Sequence, residues 1–222
     1  MSEKIIKSVI INRAVPGSGK TTISKKITTF LEKLNINTAV HSTDDFFMID
    51  GKYCFDFGKL HRFHQQNYIN FENSIKKNIN LVICDNINLV PWQTKRYTDI
   101  ARKYNFQIIF ITFEPRELKK HIECQLQTPE KPDAHNVPEA ELKRFITEYY
   151  IYNPLLYKIS TINPFIHKNY SWDSKLLKRI EVKSPTPYFD SDHIIKIYPG
   201  EYHNIKRTIG SQIYSIMKNN NY

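Results

Sequence analysis

The stretch NRAVPGSGKTT, residues 12–22, gathers residue types that together can hold phosphate. Glycines at 17 and 19 let successive backbone N–H groups turn toward one point, at the positive end of a following helix. Lys20 supplies a cation that can reach the β- and γ-phosphates of a nucleoside triphosphate, and the Thr21 hydroxyl suits coordination of Mg²⁺. The stretch fits the phosphate-loop pattern G-x-x-x-x-G-K-[ST] except at its first position, where Ala14 stands. Pro16, Gly17, Ser18, Gly19, Lys20, Thr21 and Thr22 form the candidate binding set for ATP. The plainer role for such a stretch is a glycine-rich turn capping a helix.

Two acidic positions extend this chemistry. LVICD, 81–85, leaves Asp85 at the end of an apolar run, where a carboxylate can hold the water shell of Mg²⁺. An Asp in that place is otherwise a common turn residue. STDD, 42–45, sets Asp44 and Asp45 after a second apolar run. At the ligand-binding edge of a parallel sheet, Asp44 would face the γ-phosphate from the acceptor side and take the proton of an attacking hydroxyl. The competing role is local, with Ser42 or Thr43 as the N-cap of a short helix.

These groups can act together only if regular elements carry them to one edge. Ile- and Val-rich runs at 5–12, 37–42, 80–85 and 107–113 read as strands. Helical patterns occupy 19–34, 59–77, 91–105, 115–126 and 138–152; Leu60, Phe63, Tyr68, Phe71 and Ile75 mark the apolar face of the second. Pro91 and Pro138 suit first helical turns. The alternation predicts an α/β fold with a parallel sheet covered by helices on both faces, and with the phosphate loop at its edge this is a P-loop NTPase-like sheet of about five strands. The Pro-rich stretch 127–137 is either a surface loop or a mobile lid. Residues 1–152 read as the P-loop domain and 153–222 as a C-terminal extension. That extension is irregular over 153–192, followed by a strand (193–199) and a helix (203–217) of the same domain.

In order along the chain, PGSGKTT, STDDFF, YCFDFGKLHRFHQQN, VICDNINLVPWQTKRY and HNVPEAELKRF resemble the small P-loop kinases that include phage polynucleotide 5′-hydroxyl kinase domains and the NEDD-four-binding-protein-two-like proteins. The resemblance covers roughly residues 8–152 and implies a kinase-like P-loop fold with a helical lid. It implies that Lys20 and the loop hold ATP, that Thr21 and Asp85 serve Mg²⁺, and that Asp44 is the general base. Asp45, Phe47, His64, Asn67 and Asn88 fall on substrate-facing positions. Two departures stand out. Phe47 occupies the place of an arginine that contacts the acceptor's phosphate in phage-type enzymes. In RELKKHIECQ, His121 and Gln125 stand where lid arginines are expected, leaving Arg116 and Lys120, with Lys119, Lys131 or Arg144, as substitutes.

A formal charge of +10, with 41% hydrophobic residues, describes a folded basic chain: either a Lys-rich surface or a partner such as an RNA or DNA 5′ end. Three separated cysteines, Cys54, Cys84 and Cys124, argue against a disulfide framework and a structural metal. No run has the length of a membrane span, so the expected compartment is cytoplasmic and reducing. Three functions fit. These are a polynucleotide 5′-hydroxyl kinase, a small-molecule kinase whose apolar pocket is lined by Phe46, Phe47, Tyr53, Phe55 and Phe57, and a nucleotide-binding regulatory module with little catalysis.

Overall fold

Every residue of strand β1 (Ser8–Arg13) is buried, and alternate side chains leave for opposite faces, as the pleat requires. Ile10 joins one core and Val9 and Ile11 the other, so this strand must be covered on both sides. The computed structural model describes residues 5–152 and 192–218.

After β1 come α1 (Lys20–Glu32), β2 (Thr38–His41), a 3₁₀ turn over Asp44–Phe47, and a hairpin of β3 (Met48–Ile49) and β4 (Lys52–Tyr53). Then follow α2 (Phe57–Lys76), β5 (Leu81–Cys84), α3 (Pro91–Lys103), β6 (Gln107–Phe113), α4 (Leu118–Gln125) and α5 (Glu139–Ile151). Strand β7 (His193–Ile197) and helix α6 (Tyr202–Lys218) complete the described chain.

The main sheet has the order β2-β5-β1-β6-β7, with every pairing parallel. It is the expected five-stranded P-loop kinase-like sheet. Helices α1 and α6 cover one face through Ile23, Ile27, Leu31, Ile209, Ile213 and Met217. Helices α2 and α3 cover the other through Phe71, Ile75, Tyr97 and Ile100. A third cluster, with Val15, Leu89, Val90, Leu142, Ile146 and Tyr149, ties helix α5 to the sheet's carboxyl edge. At about 25 cal/mol per Å² of apolar surface removed from water, these three clusters are the main force holding the layers together.

Local chemistry sets the helix starts. The Asp56 side chain accepts from the Gly58 N–H at 2.9 Å, so α2 begins two residues earlier than its apolar period suggests. Helix α3 opens on Pro91, as expected, with the Gln93 Oε1 accepting from the Val90 N–H. Strand β1 begins later than expected, because its first residue Ser8 pairs with Leu81, the first residue of β5. The anticipated strand over 193–199 is real and pairs with β6. The irregular insertion expected over 153–191 lies outside the described residues. Among the described residues no helix is long and apolar enough to cross a membrane.

Candidate active site

The carboxyl ends of β1, β2 and β5 bring the phosphate loop, Asp44 and Asp85 to one edge of the sheet. Between β1 and α1 the chain turns through Gly17 (φ +80°) and Gly19 (φ +88°), left-handed values that disfavour any side chain. Both glycines are also hemmed in. A Cβ on Gly17 would sit 3.1 Å from the His121 carbonyl oxygen, and one on Gly19 would run into the Tyr202 ring. The Tyr202 hydroxyl donates to the Gly19 carbonyl at 3.2 Å, so α6 reaches across to brace the loop.

From below, His121 does the same. Its ring is fully buried; Nδ1 lies 2.7 Å from the Pro16 carbonyl, and Nε2 accepts from the Arg116 N–H at 3.0 Å. The two contacts define a neutral imidazole with its proton on Nδ1, consistent with a pKa that burial pushes down. Leaving either partner buried and unmatched would cost about 1–3 kcal/mol. His121 therefore does not stand in for a lid arginine; it holds the phosphate loop from beneath. Gln125 is likewise buried, donating to the Val137 carbonyl at 3.3 Å.

Lys20 is buried at the start of α1. Burial works against its charge, but Asp85, Asp44 and Asp45 outweigh that and hold the ammonium above its ordinary pKa. Asp85 is 1% exposed, and its Oδ1 accepts from Asn12 Nδ2 at 2.6 Å. Its Oδ2 is buried with no hydrogen-bond partner among the described residues. An orphaned carboxylate oxygen beside a phosphate loop fits a hydrated divalent cation. Thr21 and Thr22 are exposed on the first turn of α1. Among the described residues no cluster of three or more His, Cys, Asp or Glu could hold a metal by itself.

Asp44 opens the 3₁₀ turn, so the short helix anticipated after STDD exists. Its N-cap, Thr43, makes no side-chain cap; instead the Thr43 N–H donates to Asn86 Oδ1 at 2.9 Å, and Thr43 Oγ1 meets His64 Nδ1 at 3.0 Å. Asp44 Oδ2 lies 3.8 Å from Lys20 Nζ, while Oδ1 accepts from the Tyr53 hydroxyl at 3.2 Å. Beside it, desolvation and then the carboxylates of Asp85 and Asp44 raise the pKa of Asp45. Past this turn lies an open cleft of about 320 Å³, lined by Phe46, Phe47, Ile49, Cys54, Lys59, Arg62 and Phe63.

The family model for chromatin associated protein KTI12 matches residues 8–219. The chain belongs to the KTI12 family. It resembles Chaetomium thermophilum Kti12, solved in complex with ADP-AlF3, with a TM-score of 0.53 at 10% identity over 95% of this chain and 100% of that one. A provisionally assigned kinase from Chloroflexus aurantiacus gives a TM-score of 0.52 at 15% identity, over 96% of each chain. Human NEDD4-binding protein 2 is 28% identical over 147 residues, which is 64% of this chain and 8% of that protein's length. A P-loop kinase-like fold is thereby shown.

Within this KTI12-family chain, several positions marked on the sequence serve the framework. Asn67 does not face the acceptor side. It is 1% exposed and donates to the Tyr97 hydroxyl at 3.3 Å. Asn88, with φ 46°, donates to the Asn12 carbonyl at 2.8 Å and fastens the loop after β5 to β1. Phe47 is buried against Tyr53, Phe55 and Phe63, forming the floor of the cleft. Lys120 pairs with Glu123 on the surface, and Arg144 pairs with Glu141 and Glu148 along α5. Arg116 comes closer, with its guanidinium 5.2 Å from the centre of the Tyr202 ring that touches Gly19. Reading the sequence missed His135, which stacks on Tyr53 and approaches Asp44, and the hairpin that carries Tyr53.

Proposed function

We propose that this chain is an ATP- and Mg²⁺-dependent phosphotransferase, and that its acceptor is the 5′-hydroxyl end of a polynucleotide. The observation that carries the reading is the Asp44 carboxylate 3.8 Å from Lys20 Nζ, a base within reach of the cation that would hold the γ-phosphate. The acceptor oxygen attacks the γ-phosphorus, the bond to the β-phosphate oxygen breaks, ADP leaves, and the hydroxyl proton passes to Asp44. Thr21 and Asp85 would hold Mg²⁺, which when bound offsets charge on the β- and γ-phosphate oxygens. The Kti12 structure with ADP-AlF3 supports a nucleotide at this loop.

Support for a polynucleotide comes from the cleft beside Asp44. Phe46 and Phe63 stack at 5.4 Å, and Lys59 and Arg62 stand among the lining residues. Aromatic faces accept bases and nearby cations accept phosphates, which is how single strands are commonly held.

The test offers γ-labelled ATP and Mg²⁺ with 5′-hydroxyl RNA, 5′-hydroxyl DNA and nucleosides. Label at an oligonucleotide 5′ end is expected, with Asp44→Asn slowing transfer about 10²–10⁴-fold while ATP still binds. Transfer to nucleosides alone would replace the polynucleotide with a small-molecule acceptor. A second reading, a nucleotide-binding module with slow chemistry, is favoured by one finding: Lys120 and Arg144 are engaged by carboxylates of their own helices, Glu123, Glu141 and Glu148. ATP binding with no transfer to any acceptor would establish it.

A further inference from the structure

The segment between α4 and α5 is fastened to the hairpin by a specific set of bonds. The Tyr53 N–H donates to the Pro132 carbonyl at 2.9 Å. Gln127 Nε2 bridges the Pro132 carbonyl at 2.6 Å and the Tyr53 carbonyl at 3.2 Å. The His135 and Tyr53 rings stack 4.1 Å apart at 20°. Loop and hairpin therefore meet at one tyrosine, and that tyrosine donates its hydroxyl hydrogen to Asp44 Oδ1 at 3.2 Å.

This leaves the two carboxylate oxygens of Asp44 in different circumstances. Oδ1 is engaged by Tyr53. Oδ2 carries no hydrogen bond among the described residues and faces Lys20 Nζ and His135 Nδ1, each at 3.8 Å. The ring of groups around His135 is mixed: Asp44 on the turn, Lys20 on α1, Asp85 after β5, and Asp133 on its own loop.

We propose that Tyr53 and His135 are positioning residues for Asp44: Tyr53 pins Oδ1, and His135, stacked behind it, keeps Oδ2 as the atom that meets the acceptor hydroxyl. This rests on the phosphotransferase reading of the site. Neither residue exchanges a proton with the substrate. Their effect is on the orientation of the carboxylate, where an error of about 1 Å can cost 10²-fold in rate. The 127–137 segment then has a defined task, because withdrawing it removes His135 and releases Tyr53 together.

The experiment measures transfer kinetics for the wild type, Tyr53→Phe, His135→Ala and His135→Phe on the full chain, with thermal melts to verify folding. Tyr53→Phe keeps the ring stack and deletes only the donated hydrogen bond. It should lower kcat about tenfold or more, with KM for ATP unchanged. His135→Ala should show a similar loss, and His135→Phe, which can stack, should recover most of it. A merely structural role would lower the melting temperature and leave kcat of the folded protein intact. If the wild type transfers label and Tyr53→Phe matches its kcat, the positioning role is overturned while the phosphotransferase stands. A wild type that transfers nothing overturns both.

Discussion

The two halves of the candidate site are built on different terms. On the donor side, Asn12, Ser18, Lys20 and Asp85 are all buried, and the loop is braced from below by His121 and from the side by Tyr202. On the acceptor side, Phe55 is 53% exposed, Phe57 79% and Ile49 56%, and the wall is a two-residue-stranded hairpin held to a loop. A phosphate chain is the same in every cell, so its cradle can be fixed in advance. The cleft on the other side is open and partly apolar, so under the proposed reading the acceptor half is the less preformed of the two.

If that contrast is right, the largest effect should come from the donor side. Lys20→Ala removes the cation that three carboxylates hold in place and should reduce turnover roughly 10³-fold or more, as loss of a transition-state cation does. Titration of labelled ATP should show weaker binding as well, and intact turnover would break the assignment of the loop. An intermediate effect is expected across the cleft. Arg62→Ala should raise KM for an oligonucleotide acceptor several-fold, by about 1 kcal/mol, and leave KM for ATP alone. The same variant should flatten the salt dependence of oligonucleotide binding; an equal rise in both KM values would erase the division between the halves.

The smallest effect is on stability with pH. Burial holds His41, at the end of β2, down to a pKa of about 4, against 6.5 when unfolded. Between those values the unfolded chain binds a proton that the folded chain refuses. Stability should therefore fall as pH drops from about 6.5 to about 4 and be flat above. His64, His121 and His135 are shifted the same way, first of all by burial. Melts at pH 8 and pH 5 check this, and His41→Phe, which can keep the contact with Phe71, should soften the fall.

How much of this could be read from the chain also divides by side. The strands, the helices and the phosphate loop carry strong periodic or motif signals, and Asp85 and Asp44 follow from their positions at strand ends. The acceptor side was harder because its contacts join distant segments. His135 and Tyr53 are 82 positions apart, and no local pattern pairs them. The hairpin, by contrast, did have a signal: Asp50 and Gly51, with φ of 48° and 78°, are the Asp-Gly pair that a tight two-residue turn favours. Reading the aromatics around it as pocket lining obscured that pair. Asn67 was misplaced because a polar residue on a helix was taken to face a ligand, whereas it is buried and donates to the Tyr97 hydroxyl; the bracing role of His121 has no local signal, because its partner Pro16 lies 105 positions away.

The brace at Gly19 has a consequence for how the protein is made. The Tyr202 hydroxyl and the Gly19 carbonyl are 183 positions apart, and α6 lies along α1 across a similar separation. At a synthesis rate of about 5–20 residues per second, roughly 10–40 s pass between the emergence of the phosphate loop and that of the residue that seats it. During that interval Phe30, Ile23 and Ile27 of α1 lack the helix that later covers them, and β6 lacks its outer neighbour β7. The phosphate loop is thus made long before the helix that braces it from the side, and a nascent chain stalled before residue 202 would carry that loop with the His121 contact alone and no Tyr202 contact.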